Sequence, residues 1–455
     1  MPVEQSDEDS LAPFFAHLRN GGTHERTYDG ASGVEPYYNT ELIEFEKGVL
    51  YADGRVDLCK MVTGPRNIGD LMESLKPNTF SKHFLLGNNI IGPVGAKAIA
   101  DFIHEFPERF ETWYLAGNCI DAASFRLLVD AMVKSPVITN VWMKRNPLGP
   151  GAAKDVCRLI TQTEKLRTLD LDQTELGDAG VAELFDLLAK HVPEKPLVLR
   201  HVYLNACGIG EKACKAIAAY LQSKHCTIES LYLSNNPIGE AVTHLASGLK
   251  SNRSLKRLVL QSCGLKDDGV IALAEALQGN NQLTALDIGQ AYATEDLGMR
   301  FNWLTEKSAP ALVNLVNTTK LQYLNISYTP MPQSSLNFVL QAVANSSSLL
   351  WFFAKPLTTG GKDVASVKAG QEYARLYKLA RERLHENVMK AYGVDYLHFE
   401  SEHKRFLISP KDVRFIDSVY RNRDAAAARR GIKKLEKWWE DGDETLQHVQ
   451  DGTLA

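Results

Sequence analysis

Several kinds of chemistry are missing from this chain of 455 residues. No C-x-x-C pair occurs. The seven cysteines are scattered and odd in number. A disulfide-dense mini-protein is thereby excluded, and reduced thiols in the cytoplasm or nucleus are expected. No apolar run reaches the roughly 18 residues that a bilayer requires, so no membrane span is expected. The start, Met1-Pro-Val-Glu-Gln-Ser-Asp-Glu-Asp-Ser10, is acidic and polar, unlike a secretory signal or a mitochondrial presequence. Neither sign of charge dominates: 51 basic residues face 55 acidic ones, for a net charge of −4. A chain built as a whole for nucleic acid is excluded on that count. H-E-x-x-H, G-x-S-x-G and G-x-x-x-x-G-K-[ST] are absent, and the twelve histidines show no metal-ligand spacing. No catalytic residue, metal site or cofactor is expected, and the chain reads as a non-enzyme.

What is present is a repeat, with 44 % apolar and 23 % charged residues, as in ordinary globular proteins. Phe110-Glu-Thr-Trp113-Tyr-Leu115-Ala-Gly-Asn118-Cys-Ile120 has the form L-x-x-L-x-L-x-x-N-x-I. The frame recurs from Ile138, Leu166, Leu199, Ile228, Leu255 and Leu321. Weaker copies start at Ser81 and Leu283, and a truncated one at Leu349. The ninth position falls on Asn89, Asn118, Asn146, Thr174, Cys207, Asn236, Cys263, Ala291 and Thr329. Most intervals are 27–29 residues; two, of 33 and 38, carry insertions at His191–Pro196 and Tyr292–Lys307. L-x-L alternates with period two and predicts a short strand. Val270-Ile-Ala-Leu273-Ala-Glu-Ala-Leu277 spaces its apolar residues at three and four and predicts a helix. One such unit buries too little to offset its ordering entropy, so the units must stack as a solenoid. Gly208-Ile-Gly210-Glu-Lys-Ala213 fits a dinucleotide fingerprint formally, but it is a turn inside a repeat.

The pattern resembles the ribonuclease-inhibitor type of leucine-rich repeat over about residues 80–355. Tyr203-Leu204-Asn-Ala-Cys207 matches that family's cysteine-type unit, and Tyr232-Leu233-Ser-Asn-Asn236 its asparagine-type unit. The resemblance implies an α/β horseshoe with a parallel sheet lining the concave face and helices on the convex face. The family spans enzyme inhibitors, innate-immune sensors and a GTPase-activating protein, so it fixes the fold more closely than the function.

A solenoid needs covers at both ends. Residues 40–79 read as an N-terminal cap, with a hairpin on the Asp53-Gly54 turn and a helix around Ile68–Leu75. Residues 1–39 are polar and Gly-rich and are expected to be flexible. Residues 356–455 read as a helical C-terminal extension. A long helix is predicted over 362–392, with Val364, Val367, Tyr373, Leu376, Leu379 and Leu384 on one face, covering the last strand. A second helix is predicted from the Ser409-Pro410 start to about Arg430, and a third around Leu435–Trp439.

Positions 3, 5 and 7 of the frame alternate away from the core and predict the concave face. They put Tyr114, Trp142, Lys144, Asp170, Asp172, His201, Tyr203, Tyr232, Arg257, Asp287, Tyr323 and Trp351 on that face. Arg300 and Trp303 come from the longer insertion. Large aromatics among polar neighbours mark a protein interface, although aromatics on adjacent strands also support one another within a sheet. The leading reading is a protein-interaction scaffold that binds a protein partner of unknown identity on this face. An alternative is a regulator resembling the Ran GTPase-activating protein. Another is a nucleic-acid adaptor using residues 403–438, where eleven basic residues face four acidic ones. Nucleic acid is the less favoured partner, because such a run is more often a solvated face.

Overall fold

The computed structural model describes residues 4–25, 41–291, 297–357, 361–404 and 414–422. The chain divides into two compact units. Unit 1 comprises Met1–Leu176, Leu197–Leu199 and Arg414–Ala455; unit 2 comprises Gly177–Pro196 and Arg200–Val413.

Unit 1 begins with helix α1, Glu8–Arg19, whose Leu11, Phe14, Phe15 and Leu18 are buried. This corrects the expectation of a flexible segment over 1–39, as far as those residues are described. The four apolar side chains recur at helical spacing behind an Asp7 cap that accepts the Ser10 amide at 2.8 Å, a signal that the Gly-rich composition obscured. Strands β1 (Leu42–Phe45), β2 (Gly48–Tyr51) and β3 (Arg55–Asp57) pair antiparallel. Gly54, with φ +81°, sits in the turn between β2 and β3. Helix α2, Gly64–Leu75, follows. Strands β4 (His83–Leu85), β5 (Thr112–Tyr114), β6 (Asn140–Trp142) and β7 (Thr168–Asp170) then continue from β3 in parallel. They alternate with helices α3 (Gly92–Glu105), α4 (Ala122–Met132) and α5 (Ala153–Gln162).

Unit 2 repeats the arrangement. Helices are α6 (Gly177–Lys190), α7 (Glu211–Gln222), α8 (Val242–Ser251), α9 (Asp267–Ala276), α10 (Ala309–Thr318), α11 (Gln333–Asn345) and α12 (Val364–Tyr392). Strands are β8 (His201–Tyr203), β9 (Ser230–Tyr232), β10 (Arg257–Val259), β11 (Ala285–Asp287), β12 (Tyr323–Asn325) and β13 (Trp351–Phe353), all parallel. In each three-residue strand the middle side chain, such as Leu231, Leu258 or Leu286, enters the core, and the outer two face away from the helices.

Buried asparagines tie each coil to the next. Asn118 Oδ1 accepts the Asn89 amide at 3.0 Å, and Asn146 Oδ1 accepts that of Asn118 at 2.9 Å. In unit 2, Asn236 Oδ1 accepts the Cys207 and Ile209 amides and its amide group donates to the Leu204 and Leu233 carbonyls. Asparagine suits this place because it satisfies donors and acceptors together where no water reaches. The sequence frame gave Ala291 the ninth position after β11, but the structure gives this role to Asn302. Its Oδ1 accepts the Cys263 and Leu265 amides, and its amide group donates to the Leu260, Ile288 and Gly289 carbonyls. The insertion delayed the asparagine rather than abolishing it.

Helix α12 spans most of the expected range, from its Asp363 cap to Gly393 in the left-handed region. Its buried face is Leu376, Ala380, Leu384 and Val388; Val364, Val367 and Leu379 are exposed. It packs on α11, and Tyr373 and Asn387 reach the Ala354 and Leu349 carbonyls that flank β13. Among residues 414–422 only Val419–Asn422 is helical. The predicted second helix is therefore corrected over 414–418, where Phe415 at φ +43° breaks it, while its parts at 409–413 and 423–430 and all of the third lie outside the described residues.

Candidate protein-binding surface

The outward positions of the strands form a polar and aromatic face in each unit. In unit 1, Tyr114 and Trp142 lie side by side with ring centroids 6.2 Å apart. Both are almost fully buried, at 3 % and 2 % exposure. Gly87 makes room for Tyr114: a Cβ there would stand 2.5 Å from the ring. Lys144 Nζ lies 3.4 Å from Asp172 Oδ2, and Asp170 Oδ1 accepts the Asp172 amide at 2.8 Å. Burial, followed by the neighbouring Asp172 carboxylate, pushes the Asp170 carboxyl up to about 7. The five unit-1 residues named from sequence therefore form one cluster. They do not stand open, since the chain's own Arg414 lies over the Trp142 ring, 6.0 Å from its centroid.

In unit 2, Tyr203 and Tyr232 stack at 4.1 Å with their planes 5° apart. Tyr323 and Trp351 stack at 4.4 Å and 9°. Parallel strands bring like columns within stacking distance. Between the two stacks, Arg257 Nη1 donates to Tyr232 Oη at 2.8 Å. Asp287 accepts from Gln261 at 3.0 Å and from the Tyr323 hydroxyl at 3.2 Å. Burial pushes the Asp287 carboxyl up to about 6 despite those donors. Burial and the same carboxylate push the Tyr323 hydroxyl upward. His201 bonds Ser230 Oγ at 3.0 Å.

A cavity of about 300 Å³ opens here, lined by Tyr232, Arg257, Asp287, Tyr323, Asn205 and Lys404. Lys404 and Glu400 were not among the residues named from sequence. Lys404 Nζ stands 4.1 Å from the Trp351 ring centroid, and Trp351 Nε1 donates to Glu400 at 2.8 Å. No repeat spacing announces either residue, because both arrive from beyond the last repeat.

Arg300 and Trp303 lie on the insertion, apart from the strand positions. Trp303 forms an isolated bridge to Lys266; it is 54 % exposed and Phe301 43 % exposed, on either side of buried Asn302. Among the described residues no cluster of histidine, cysteine and carboxylate is placed to hold a metal, and no helix is long and apolar enough to cross a membrane. Of the eleven basic residues counted over 403–438, the described side chains are Lys404 and Arg414, and each lies over a tryptophan ring. The other nine lie outside the described side chains.

A leucine-rich-repeat family model matches residues 164–185 and 251–274. The chain is 32 % identical over 190 residues to the human NACHT, LRR and PYD domains-containing protein 12, covering 41 % of this chain and 17 % of that protein. It is 24 % identical over 238 residues to mouse ribonuclease inhibitor, covering 46 % of this chain and 51 % of the relative. The chain thus spans about half or less of the curated relatives it matches. A crystal structure of the yeast Rad7 and Elc1 complex aligns at 14 % identity with a TM-score of 0.41, over 66 % of this chain and 68 % of that one.

Proposed function

We propose that this chain, a leucine-rich-repeat protein of the ribonuclease-inhibitor-like kind, is a non-enzymatic scaffold that binds a protein partner on the strand face of unit 2. The observation that carries the reading is the cavity of about 300 Å³ between the Tyr203–Tyr232 and Tyr323–Trp351 stacks. Rigid aromatic walls present large contact area with little rotamer entropy left to lose on binding. Arg257, Asp287 and Lys404 set polar groups of both signs around the opening, which gives orientation rather than bulk affinity. The mouse relative is named an inhibitor of ribonuclease, which supports a protein as the class of ligand.

The test is affinity purification with quantitative mass spectrometry on the full chain and on the Tyr232→Ala and Tyr323→Ala variants. A true partner is recovered at least tenfold less by a variant, in line with the roughly 2 kcal/mol or more of an aromatic hot spot. Equal recovery by wild type and by both folded variants rules this surface out.

A further inference from the structure

The strand face of unit 1 already holds a peptide, and that peptide is the chain itself. Residues Arg414–Tyr420 cross it in largely irregular conformation. Phe415 lies flat on the His83 imidazole, with centroids 4.2 Å apart and planes within 4°. Two residues on, the Asp417 carbonyl accepts from Arg55 Nη1 at 2.6 Å. Ser418 is hydrogen-bonded to the buried Asp57 carboxyl. The Val419 amide donates to Tyr51 Oη at 3.0 Å, while the Tyr51 hydroxyl donates to Asp57 at 3.2 Å. Val419 itself packs against Val49 and Tyr51.

These fixings read out a pattern: an aromatic, a main-chain carbonyl two residues later, then a hydroxyl, then a branched aliphatic. Ile416, Ser418 and Val419 are buried, Tyr420 packs beside Val419 on the Val49–Tyr51 cluster, and Arg414 and Asp417 are exposed. A short segment outside the repeat coils, with no regular secondary structure over 414–418, is the kind of unit that opens locally. Phe415 also keeps φ at +43°, a conformation that a non-glycine residue holds only when its surroundings impose it. On the face beneath, Asp57 is fully buried and Arg55 and His83 are each 5 % exposed. Those groups demand equivalent partners from whatever replaces the segment.

We infer that the strand face of unit 1 is a peptide-binding groove, that Arg414–Tyr420 is its resident ligand, and that it accepts in exchange a protein segment of the form aromatic-x-x-hydroxyl-aliphatic. This reading concerns a different face from the cavity of unit 2. It rests on the scaffold proposal only in taking a protein segment as the ligand.

The experiment uses the full chain and a fluorescent synthetic peptide with the sequence of residues 414–422. A tethered resident competes at an effective concentration on the order of millimolar, so wild type should bind the peptide at least about tenfold more weakly than a Phe415→Ala chain. A peptide carrying the same Phe415→Ala change should lose that binding. Equal binding by the two chains, or no binding by a folded Phe415→Ala chain, overturns the proposal. If the variant does not fold, hydrogen exchange on wild type decides. Millimolar peptide should accelerate exchange at Phe415–Tyr420 severalfold, and unchanged exchange overturns the proposal equally. A Tyr323→Ala chain should behave as wild type in the peptide assay, so failure here is separable from failure of the unit-2 reading.

Discussion

Asn302 accepts the Cys263 main-chain N–H at 2.9 Å, the bond that Asn236 makes to Cys207 at the same distance. An asparagine from inside an insertion thus completes a ladder whose other rungs sit at the regular position. Asn302→Ala strands two buried amides and leaves the Leu260 carbonyl without that donor. At about 1–3 kcal/mol per stranded group, the loss of stability should reach about 3 kcal/mol or more. Urea denaturation measures it. Adding Ala291→Asn should not restore the wild-type midpoint, and if it does, the rung belongs to the regular position after all.

Asp287 gives a pH signature. Its carboxyl titrates at about 6 in the folded chain because burial disfavours the charge, against about 3.9 when unfolded. Between those values the folded state holds the extra proton. Stability is therefore fullest below about pH 4 and declines as pH rises through about 6. The whole effect is on the order of 2–3 kcal/mol. Asp287→Asn should flatten this part of the curve, whatever it does to absolute stability by weakening the bonds from Gln261 and Tyr323. An unchanged slope between pH 4 and 6 would show that Asp287 ionises normally.

All seven cysteines are free thiols, and Cys214 and Cys263 are buried. Burial pushes both thiols up to about 12, leaving a thiolate share of about one in ten thousand at pH 8. Iodoacetamide should leave both unlabelled in the native protein and label all seven in urea. Native labelling of Cys263 at the rate of a free thiol would contradict its place in the core.

Helices α7 and α8 approach closely at Gly248, where a Cβ would stand 2.8 Å from Ala218 Cα. Alanine raises helix propensity by nearly 1 kcal/mol, yet backbone cannot yield as a flexible side chain does. Gly248→Ala should destabilise by about 1–3 kcal/mol, read as a lower melting temperature. A stabilised variant would mean that the two helices separate at little cost.

The repeat was legible because its period survives substitution. Leu231, Leu258 and Leu286 are in the core where the frame put them, and Tyr203, Tyr232, Tyr323 and Trp351 share the outward face as alternation requires. Helix α1 was missed because four apolar side chains were outweighed by glycine content further along. On α12, six apolar residues were assigned to one face, while the structure buries the sequence Leu376, Ala380, Leu384, Val388. Small Ala380 is invisible to a search for large apolar side chains. Lys404, Glu400 and Phe415 reach the strand faces through tertiary contacts with no local period, so no spacing in the sequence foretells them.

Gln290 and Asn302 bond each other twice, Gln290 Nε2 to the Asn302 carbonyl at 2.8 Å and the Asn302 amide to Gln290 Oε1 at 3.0 Å. This clasp closes the neck of the insertion, and inside it Ala291 and Arg300 stay bonded to the preceding coil, through Ser262 Oγ and the Gly264 amide. A foreign epitope or reporter grafted here should therefore enter between Ala291 and Arg300, so that both keep their bonds and the clasp stays shut.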